Sequence, residues 1–281
     1  AIEAGQCEVA MVGYADNPRS GSRAHFARPR GNDAAFGWFS TVATYGMIHR
    51  RHIVEYGTKP DVFGAMAMAA RNHGARNPDA QLRKPLTMDD YMASPLLVDP
   101  LRRDDSCLVS DGGAALILMT AKRAKALGID NAVPILGFGH GQTSWEVQLR
   151  PELTSTEAKT AAATAFAMAG LTPADIDVAQ FYDCFTITSL MALEEYGFCK
   201  PGQAGDFVRD GEIQLGGRLP INTSGGLLSE TGMPGLQLVI EAVRQMRGAS
   251  HNQVKGASKV VVSNQGGTMH THAALILGAP S

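Results

Sequence analysis

The sequence predicts an α/β protein built from two related halves, on three observations. Segments with helical caps and stops alternate with short apolar runs of strand length, as in sheets covered by helices on both faces. The 281 residues, 44% of them hydrophobic, are enough for two such units with an ordinary share of core. The chain also echoes itself. Val109-Ser110-Asp111-Gly112-Gly113 runs into Ala114-Ala115-Leu116-Ile117-Leu118, and Val262-Ser263-Asn264-Gln265-Gly266-Gly267 is followed by Ala273-Ala274-Leu275-Ile276-Leu277. A strand, a Gly-Gly turn and an Ala-Ala-Leu-Ile-Leu strand thus close both halves, as a duplicated domain would leave them. Chance likeness of short apolar strands is the competing explanation. The boundary falls near residue 130, dividing the chain into 1–129 and 130–281.

Each element has a local reason. The chain opens without Met, on what reads as the last turn of a helix closed by Gly5 and running into a strand over 9–12. Such a start implies absent upstream residues, and no charged region precedes an apolar one as in a signal peptide. A loop rich in Gly, Pro, Arg and Asn covers 16–33. A helix is expected over 42–56, stopped by Gly57. Thr58 as N-cap and Pro60 in the first turn open the next, which runs to His73 and stops at Gly74. A short helix starts at Thr87. The runs 106–109 and 114–119 around Ser110-Asp111-Gly112-Gly113 read as a hairpin, and 120–127 as a surface helix ended by Gly128.

The second half restarts with a strand over 133–138. Thr154 and Glu157 form a capping box for a long Ala-rich helix ending at Gly170. Thr172-Pro173 caps a short helix, 177–181 is a strand, and 186–196 is a helix ended by Gly197. Leu236, Val239, Ile240, Val243 and Met246 make a helical stripe within 234–247. Strands over 259–263 and 272–277 close the chain.

Composition excludes several function classes. Lys+Arg is 25 against 27 Asp+Glu, a net charge of −2, so there is no basic footprint for nucleic acid. No Lys/Arg run marks an anionic membrane surface. The longest apolar stretches, 133–138 and 273–277, are far too short to span a bilayer. Four cysteines make no disulfide scaffold and read as free thiols of a cytoplasmic protein.

Four segments read as loops at strand ends, where open α/β sheets place ligands. Gly137-Phe138-Gly139-His140-Gly141 is not a dinucleotide fingerprint, because the third glycine is out of register and no helix follows. A turn needing positive φ is the competing reading of each glycine. In Tyr182-Asp183-Cys184-Phe185, a phenol, a carboxylate and a thiol stand between a strand and a helix, where each can be acid, base or oxyanion donor. The plainer alternative is a core aromatic and an N-cap Asp. Ser224-Gly225-Gly226 with Gly232-Met233-Pro234-Gly235 leads to a helix N-terminus, whose free N–H groups suit a thioester oxygen or an enolate; a flexible connection competes. The fourth segment is Asn264-Gln265-Gly266-Gly267.

His270 and His272 share a face if their stretch is extended. They would be half a metal site, but no further ligand motif accompanies them, so no metal is expected. One of the two as general base is the better chemical reading, against a solvated strand end. His25, His49, His52, His73 and His251 sit in polar contexts without chemistry. Cys7, Cys107 and Cys199 carry no mark of a low-pKa thiolate beyond Lys200 beside Cys199.

Several motifs, taken in order, resemble the thiolase superfamily in its sterol-carrier/lipid-transfer branch. In the first half these are Asn72-His73, Asn77-Pro78, Met92-Ala93-Ser94-Pro95 and Ser110-Asp111-Gly112-Gly113-Ala114-Ala115. In the second they are Asp183-Cys184-Phe185, Glu194, Gly197-Phe198-Cys199, Leu219-Pro220-Ile221-Asn222-Thr223-Ser224-Gly225-Gly226 and Glu241-Ala242-Val243-Arg244-Gln245. The resemblance implies a five-layer αβαβα fold with two duplicated halves, the N-terminal part of the first half missing, and a homodimer. It implies an acyl-CoA substrate, coenzyme A as co-substrate with no permanently bound cofactor, and C–C bond cleavage or formation beside the thioester. It also implies a small partner subunit carrying an OB-fold and a zinc ribbon.

The family's nucleophilic Cys would lie upstream of the segment matching 1–16. Other departures concern its remaining catalytic set. Its Gly-His-Pro corresponds to Gly232-Met233-Pro234, its His-Asp-Cys-Phe to Tyr182-Asp183-Cys184-Phe185, and its C-terminal, often Cys-bearing loop to Ser263-Asn264-Gln265-Gly266-Gly267. The expected catalytic residues are therefore Tyr182, Asp183, Asn264, His270 and His272. The expected substrate-binding residues are Gly139, His140, Ser224, Gly225, Gly226, Met233, Gly266 and Gly267. The loops 16–33 and 143–151, the latter with Trp145 and Arg150, are candidates to shape the acyl pocket or a partner surface. Acyl transfer from a bulky 3-keto acyl-CoA to coenzyme A is the leading expectation. A retro-aldolase acting on a 3-hydroxy acyl-CoA, which a Tyr in place of His suits, is the first alternative, and a non-catalytic thiolase-like subunit is the second.

Overall fold

A computed structural model describes residues 1–21, 32–233 and 235–280. The first part of the chain contributes β1 (Val9–Asp16), α1 (Thr41–Tyr56), α2 (Pro60–Arg76), α3 (Met88–Ala93), the short pair β2 (Leu96–Val98) and β3 (Leu101–Arg102), β4 (Gly112–Met119) and α4 (Ala121–Ala126). The second contributes β5 (Ile135–Gln142), α5 (Ala158–Ala169), β6 (Val178–Gln180), α6 (Thr186–Glu195), α7 (Ala204–Arg209), α8 (Gly226–Ser229), α9 (Leu236–Met246), β7 (Lys259–Gly266) and β8 (Thr271–Gly278). Among the described residues no helix is long and apolar enough to cross a membrane.

Local capping chemistry sets the starts of α1, α3 and α4. The Ser40 hydroxyl accepts from Ala43 N at 3.2 Å and opens α1, which Gly57 closes at φ 69. Thr87 and Asp90 form a reciprocal capping box at α3, and Thr120 caps α4. Two expected caps do not form. The Thr58 hydroxyl meets His52 Nδ1 at 2.9 Å instead of capping α2. The Thr154 hydroxyl donates to Glu55, and Thr156 accepts from Ala158 N at 3.1 Å at the start of α5. Helix α2 also runs past Gly74. That glycine is required by packing, since a Cβ there would lie 2.2 Å from Ser229 Oγ.

Strands β5, β8, β7 and β6 form one sheet in that order. β5–β8 and β8–β7 are antiparallel, and β7–β6 is parallel. β1 and β4 form a separate antiparallel pair, Val9 opposite Met119 through Asp16 opposite Gly112. The hairpin expected over 106–119 is therefore corrected. Residues 107 and 108 donate their N–H groups far along the chain, Cys107 to Cys184 O at 2.9 Å and Leu108 to Leu227 O at 3.1 Å. They have none left for a local ladder, so β4 takes β1 as its partner. Both Ala-Ala-Leu-Ile-Leu runs are strands, in β4 and β8, but only the second is preceded by a strand leading into its Gly-Gly turn.

Helix α6 is buried along its length and carries Ile187, Leu190, Met191 and Leu193 into the core. Tyr45, Ile48 and Phe63 from α1 and α2 and Val260, Val261 and Val262 from β7 join the same cluster. The polar members of α6, Thr186, Thr188, Ser189 and Glu194, are buried with them, which places the helix in the interior of a layered fold. A buried contact of His52 Nε2 with Glu194 Oε2, at 3.3 Å, ties α1 to α6.

The segment 137–141, expected as a loop, is strand β5. Its three glycines recur with period two and so lie on one face of the strand. That face is pressed against the Ala-rich α5. A Cβ at Gly137 would lie 2.2 Å from Ala165 O, at Gly139 1.9 Å from Ala161 O, and at Gly141 2.3 Å from Glu157 O. The glycines let helix backbone touch strand backbone, with Ala158, Ala161, Ala162 and Ala165 as the matching small residues. Because the opposing atoms are main chain, relief requires moving the whole helix. Gly139→Ala is expected to cost about 1–3 kcal/mol or more of stability as an overpacked contact. Urea unfolding of the variant checks it, and an unchanged midpoint would show that α5 does not sit on β5 as described.

Candidate active site

Because β6 and β7 are parallel neighbours, their carboxyl ends leave the sheet on one edge. Phe181-Tyr182-Asp183-Cys184 follows β6 there, and Asn264 to Gly267 ends β7 beside it. This is where a sheet of this kind places chemistry. Tyr182 is half-buried, and Ser263 Oγ accepts from its N–H at 3.4 Å. Burial pushes its phenol well above the ordinary value, with the Cys184 and Cys107 thiols adding to the shift. Tyr182 therefore keeps its proton at neutral pH.

Beneath it lies a set of contacts that join distant parts of the chain. Gln265 Nε2 donates to Cys184 Sγ at 3.3 Å and to Tyr45 Oη at 3.3 Å. The Tyr45 hydroxyl donates in turn to Gly267 O at 3.4 Å, and its ring packs on Phe185 with centroids 4.4 Å apart. All four cysteines are free thiols. Burial pushes the Cys184 thiol up to about 12 and that of Cys199 to about 11, and it raises Cys107 too. None of these three is an activated thiolate.

Asp183 faces the opposite way. It is 1% exposed and accepts from Leu227 N at 2.8 Å and Leu228 N at 3.4 Å. Burial raises its carboxyl to about 6. Asn222 completes the arrangement from a left-handed backbone, φ 48, its Oδ1 accepting from Phe181 N at 2.7 Å and its Nδ2 donating to Phe181 O at 2.9 Å. Gly226, at φ 59, has no room for a side chain, since a Cβ would stand 2.2 Å from Asp183 Oδ2.

Asp183 thereby occupies the N–H groups of 227 and 228 at the start of α8, whereas the helix N-terminus expected to supply donors is that of α9. Ser224 is buried as well, its hydroxyl donating to Glu230 Oε2 at 2.5 Å and its carbonyl accepting from Asn77 Nδ2 at 2.9 Å. Gly225, at φ 109, approaches Gly74 so closely that a Cβ would be 3.0 Å from its Cα. Met233 is buried with its Sδ 3.1 Å from where a Cβ of Gly112 would stand. Pro234 lies outside the described residues, and α9 starts at Leu236.

The histidines separate. Residues 267–270 form a turn, with Met269 at φ 59, so the stretch is not extended and His270 precedes β8. The His270 ring meets Trp145 edge-on at 3.9 Å between centroids, and its carbonyl accepts from Thr143 N at 2.7 Å. His272 is in β8 with Nε2 facing Met269 O at 3.1 Å, and burial lowers it to about 4, so the ring is neutral. Among the described residues no group of three or more His, Cys, Asp or Glu is placed to hold a metal. Tyr182 and His272 line one cavity of about 10 Å³ with Thr188, Ser263 and Gln265, room for a single water.

The remaining expected residues are scattered. Gly139 is covered by α5, which removes it as a ligand contact. His140 is exposed on the other face of β5, its Nε2 3.0 Å from Thr271 Oγ1. Asn264 is half-buried with Oδ1 accepting from Gln265 N at 3.0 Å, Gly266 ends β7 opposite Thr271, and Gly267 turns at φ 62. His49 and His73 are buried, lowered to about 3 and about 4, and structural. His25 and most of the 16–33 loop fall outside the described residues.

Sequence reasoning misses Tyr45, and it reaches Gln265, Cys184 and Arg150 only as members of longer segments. Arg150 is 8% exposed. Its Nε donates to Ser144 O at 3.3 Å, and its buried Nη2 has no acceptor among the described residues. The burial lowers its pKa, while Tyr45 and Asp33 favour its charge. An aromatic inside a helix reads as core, and nothing local distinguishes Tyr45 from any other.

Residues 139–279 match the family model described as thiolase C-terminal domain-like. The chain belongs to the thiolase superfamily. It is 38% identical, over 99% of its length and 75% of the relative, to a Thermomonospora curvata protein named steroid side-chain-cleaving aldolase. It is equally 38% identical, over 99% of its length and 76% of the relative, to a Mycobacterium tuberculosis protein named 17-hydroxy-3-oxo-4-pregnene-20-carboxyl-CoA lyase. A solved structure named Ltp2-ChsH2(DUF35) aldolase superposes with a TM-score of 0.89 at 37% identity, covering 99% of this chain and 74% of that one. The mixed α/β architecture is thus thiolase-like, as the motifs implied.

Asp183, Glu195 and Glu230 are buried carboxyls raised to about 6, about 7 and about 7, each chiefly by burial. A carboxyl that binds its proton more tightly folded than unfolded loses stability as pH rises from its ordinary value to its folded one. Asp183→Asn removes one such group. The stability difference, wild type minus variant, is expected to fall between about pH 4 and 6. Denaturant titrations across that range check it, and a flat difference would mean that Asp183 titrates normally.

Proposed function

We propose that this protein is a thiolase-fold retro-aldolase that cleaves the C–C bond beside the thioester of a bulky, steroid-like 3-hydroxy acyl-CoA without consuming free coenzyme A. The observation that carries this reading is Tyr182, a protonated phenol at the exits of β6 and β7 that lines one small cavity with the neutral imidazole of His272. Aldol cleavage needs proton movement and a place for negative charge, and a buried phenol beside a neutral imidazole suits the first of these. The aldolase and lyase names of the relatives support the same ordering, which sets the first alternative of the sequence analysis ahead of its leading expectation.

In this reaction the β-hydroxyl proton passes to a base and its O–H electron pair closes the ketone. The C–C pair moves onto the thioester as an enolate, and the α-carbon then takes up a proton. Tyr182 is the acid of this scheme, because burial favours its neutral form. His272 is the base. Its Nε2 is committed to Met269 O, which leaves Nδ1 as the acceptor nitrogen, a tautomer assigned from that contact. Asn264, Gly266 and Gly267 flank the same edge and accommodate the thioester, while His270 with Trp145 shapes the acyl side. The partner is proposed to be a DUF35 protein, in the role of the small subunit that the motifs implied. The solved Ltp2-ChsH2(DUF35) relative, which carries such a component in its name, supports this. The homodimer belongs to the same reading.

Mass spectrometry of 3-hydroxy and 3-keto acyl-CoA mixtures, each with and without coenzyme A, tests the reaction. Cleavage of the hydroxy ester without coenzyme A is expected. Tyr182→Phe should lower kcat about 10²–10⁴-fold with KM little changed, the range for a lost general acid. Cleavage confined to the keto ester in the presence of coenzyme A would replace this reading with acyl transfer. Silence towards all substrates with the partner present would favour a non-catalytic subunit.

A further inference from the structure

A second concave surface lies at the opposite end of the sheet from Tyr182. The segment 215–220 leads into Ile221, which bridges Ala179 of β6 in parallel, so it arrives from the entrance side of the strands. The segment 251–255 likewise precedes β7. Between these two segments and Arg76, at the end of α2, is a cleft of about 600 Å³.

Its chemistry is one-sided. Arg76, His251 and Lys255 line it, and no Asp or Glu does. Arg76 and Lys255 are exposed and have no ion pair among the described residues, while His251 Nε2 stands 3.6 Å from Asp79 Oδ2. The N–H groups of Leu215 and Gly216 have no acceptor among the described residues. Leu215, Pro220 and Val254 supply an apolar floor.

The walls are held from below. Asn252 is buried and donates through Nδ2 to His73 O at 2.8 Å and to Thr223 O at 2.6 Å. Val254 N donates to Gln245 Oε1 at 3.0 Å, and Gln253 Nε2 to Gln245 O at 3.0 Å. The backbone that carries His251 and Lys255 is therefore fixed to the core. Two unpaired cations in a concave site raise the local potential for anions. An Arg fork with a Lys point charge is the combination suited to phosphoryl oxygens.

We propose that this cleft is a binding site for a phosphate-bearing small molecule, distinct from the thioester chemistry at the strand exits. The phosphoryl group lies between Arg76 and Lys255, with the N–H groups of Leu215 and Gly216 as further donors, and the body of the ligand rests on the apolar floor.

Isothermal titration of the full chain at low ionic strength tests this with pyrophosphate, AMP and uncharged adenosine as probes. Pyrophosphate and AMP are expected to bind and adenosine not to. AMP binding tighter than pyrophosphate would identify a nucleotide phosphate as the source, and the reverse an inorganic one. Arg76→Ala and Lys255→Glu should each weaken anion binding at least about tenfold, in line with a charge-assisted contact worth about 1.5–3 kcal/mol. Both side chains are on the surface, so the variants should fold, which circular dichroism verifies. Tyr182→Phe should leave anion binding unchanged, so a failure of the aldolase reading would not affect this result. Anion binding that survives both charge substitutions, or adenosine binding as well as AMP, would overturn the proposal, as would no binding of any anion.

Discussion

A buried carboxylate organises this end of the molecule. Asp183 is excluded from water, and a carboxyl so placed must be satisfied from within the protein or be strongly destabilising. The donors come from the backbone of 227 and 228, which fixes the course of the chain from 222 to 230 around it. Asn222 and Gly226 adopt left-handed conformations to make that course, and Gly226 has to be glycine because the carboxylate fills the space of its side chain. Ser229, in the same loop, lies against Gly74 of α2, and Asn77 reaches back to Ser224. One acidic group thus determines how the helices of the first part of the chain meet the sheet of the second. It also explains why the N–H groups of 227 and 228 are occupied within the protein.

A second constraint, steric rather than polar, acts at the other edge of the sheet. Three glycines on one face of β5 bring α5 to backbone contact, and β8 and β7 follow from β5 by antiparallel pairing. The parallel pairing of β7 with β6 puts two chain exits side by side. Tyr182 and Gln265 meet for that reason, since they belong to segments more than eighty residues apart. Tyr45 is added from α1, and Gln265 bridges it to Cys184, so the site is a product of tertiary packing at three places.

The parts of this fold that were legible in the sequence are those with a short physical range. Ser, Thr, Asp and Gly at helix ends act on groups three or four residues away, so α3, α4, the turn at Thr172 and the stop at Gly170 read correctly. Thr58 and Thr154 had the same local signature but found distant partners, His52 and Glu55. The glycines of β5 looked like a loop because the helix that demands them begins sixteen residues after Gln142. The segment 106–109 looked like a strand because nothing nearby announces that the carbonyls of 184 and 227 take its donors. At the site, Tyr182 was legible as a departure from a family motif. Tyr45 was not, and Arg150 was legible only as part of a loop that could shape the acyl pocket, because their surroundings depend on which charges and phenols face them across the fold.

The same burial that hides these groups decides what they can do. Cys184 sits where a thiolase-like protein has a reactive neighbourhood, yet its surroundings favour the neutral thiol, and its role is that of a small polarizable side chain that accepts from Gln265. Tyr182 is subject to the same effect with the opposite chemical consequence. A thiol made harder to ionise loses its nucleophile, whereas a phenol made harder to ionise remains a hydrogen-bond and proton donor. Desolvation therefore suits this edge of the sheet to proton transfer. The neutral His272, lowered by burial in turn, fits beside such a donor without forming an ion pair with it. A site of neutral donors and acceptors leaves the developing enolate as its main negative charge. The buried guanidinium of Arg150, close enough to Tyr45 to bias its ionisation, has one nitrogen lacking an acceptor among the described residues.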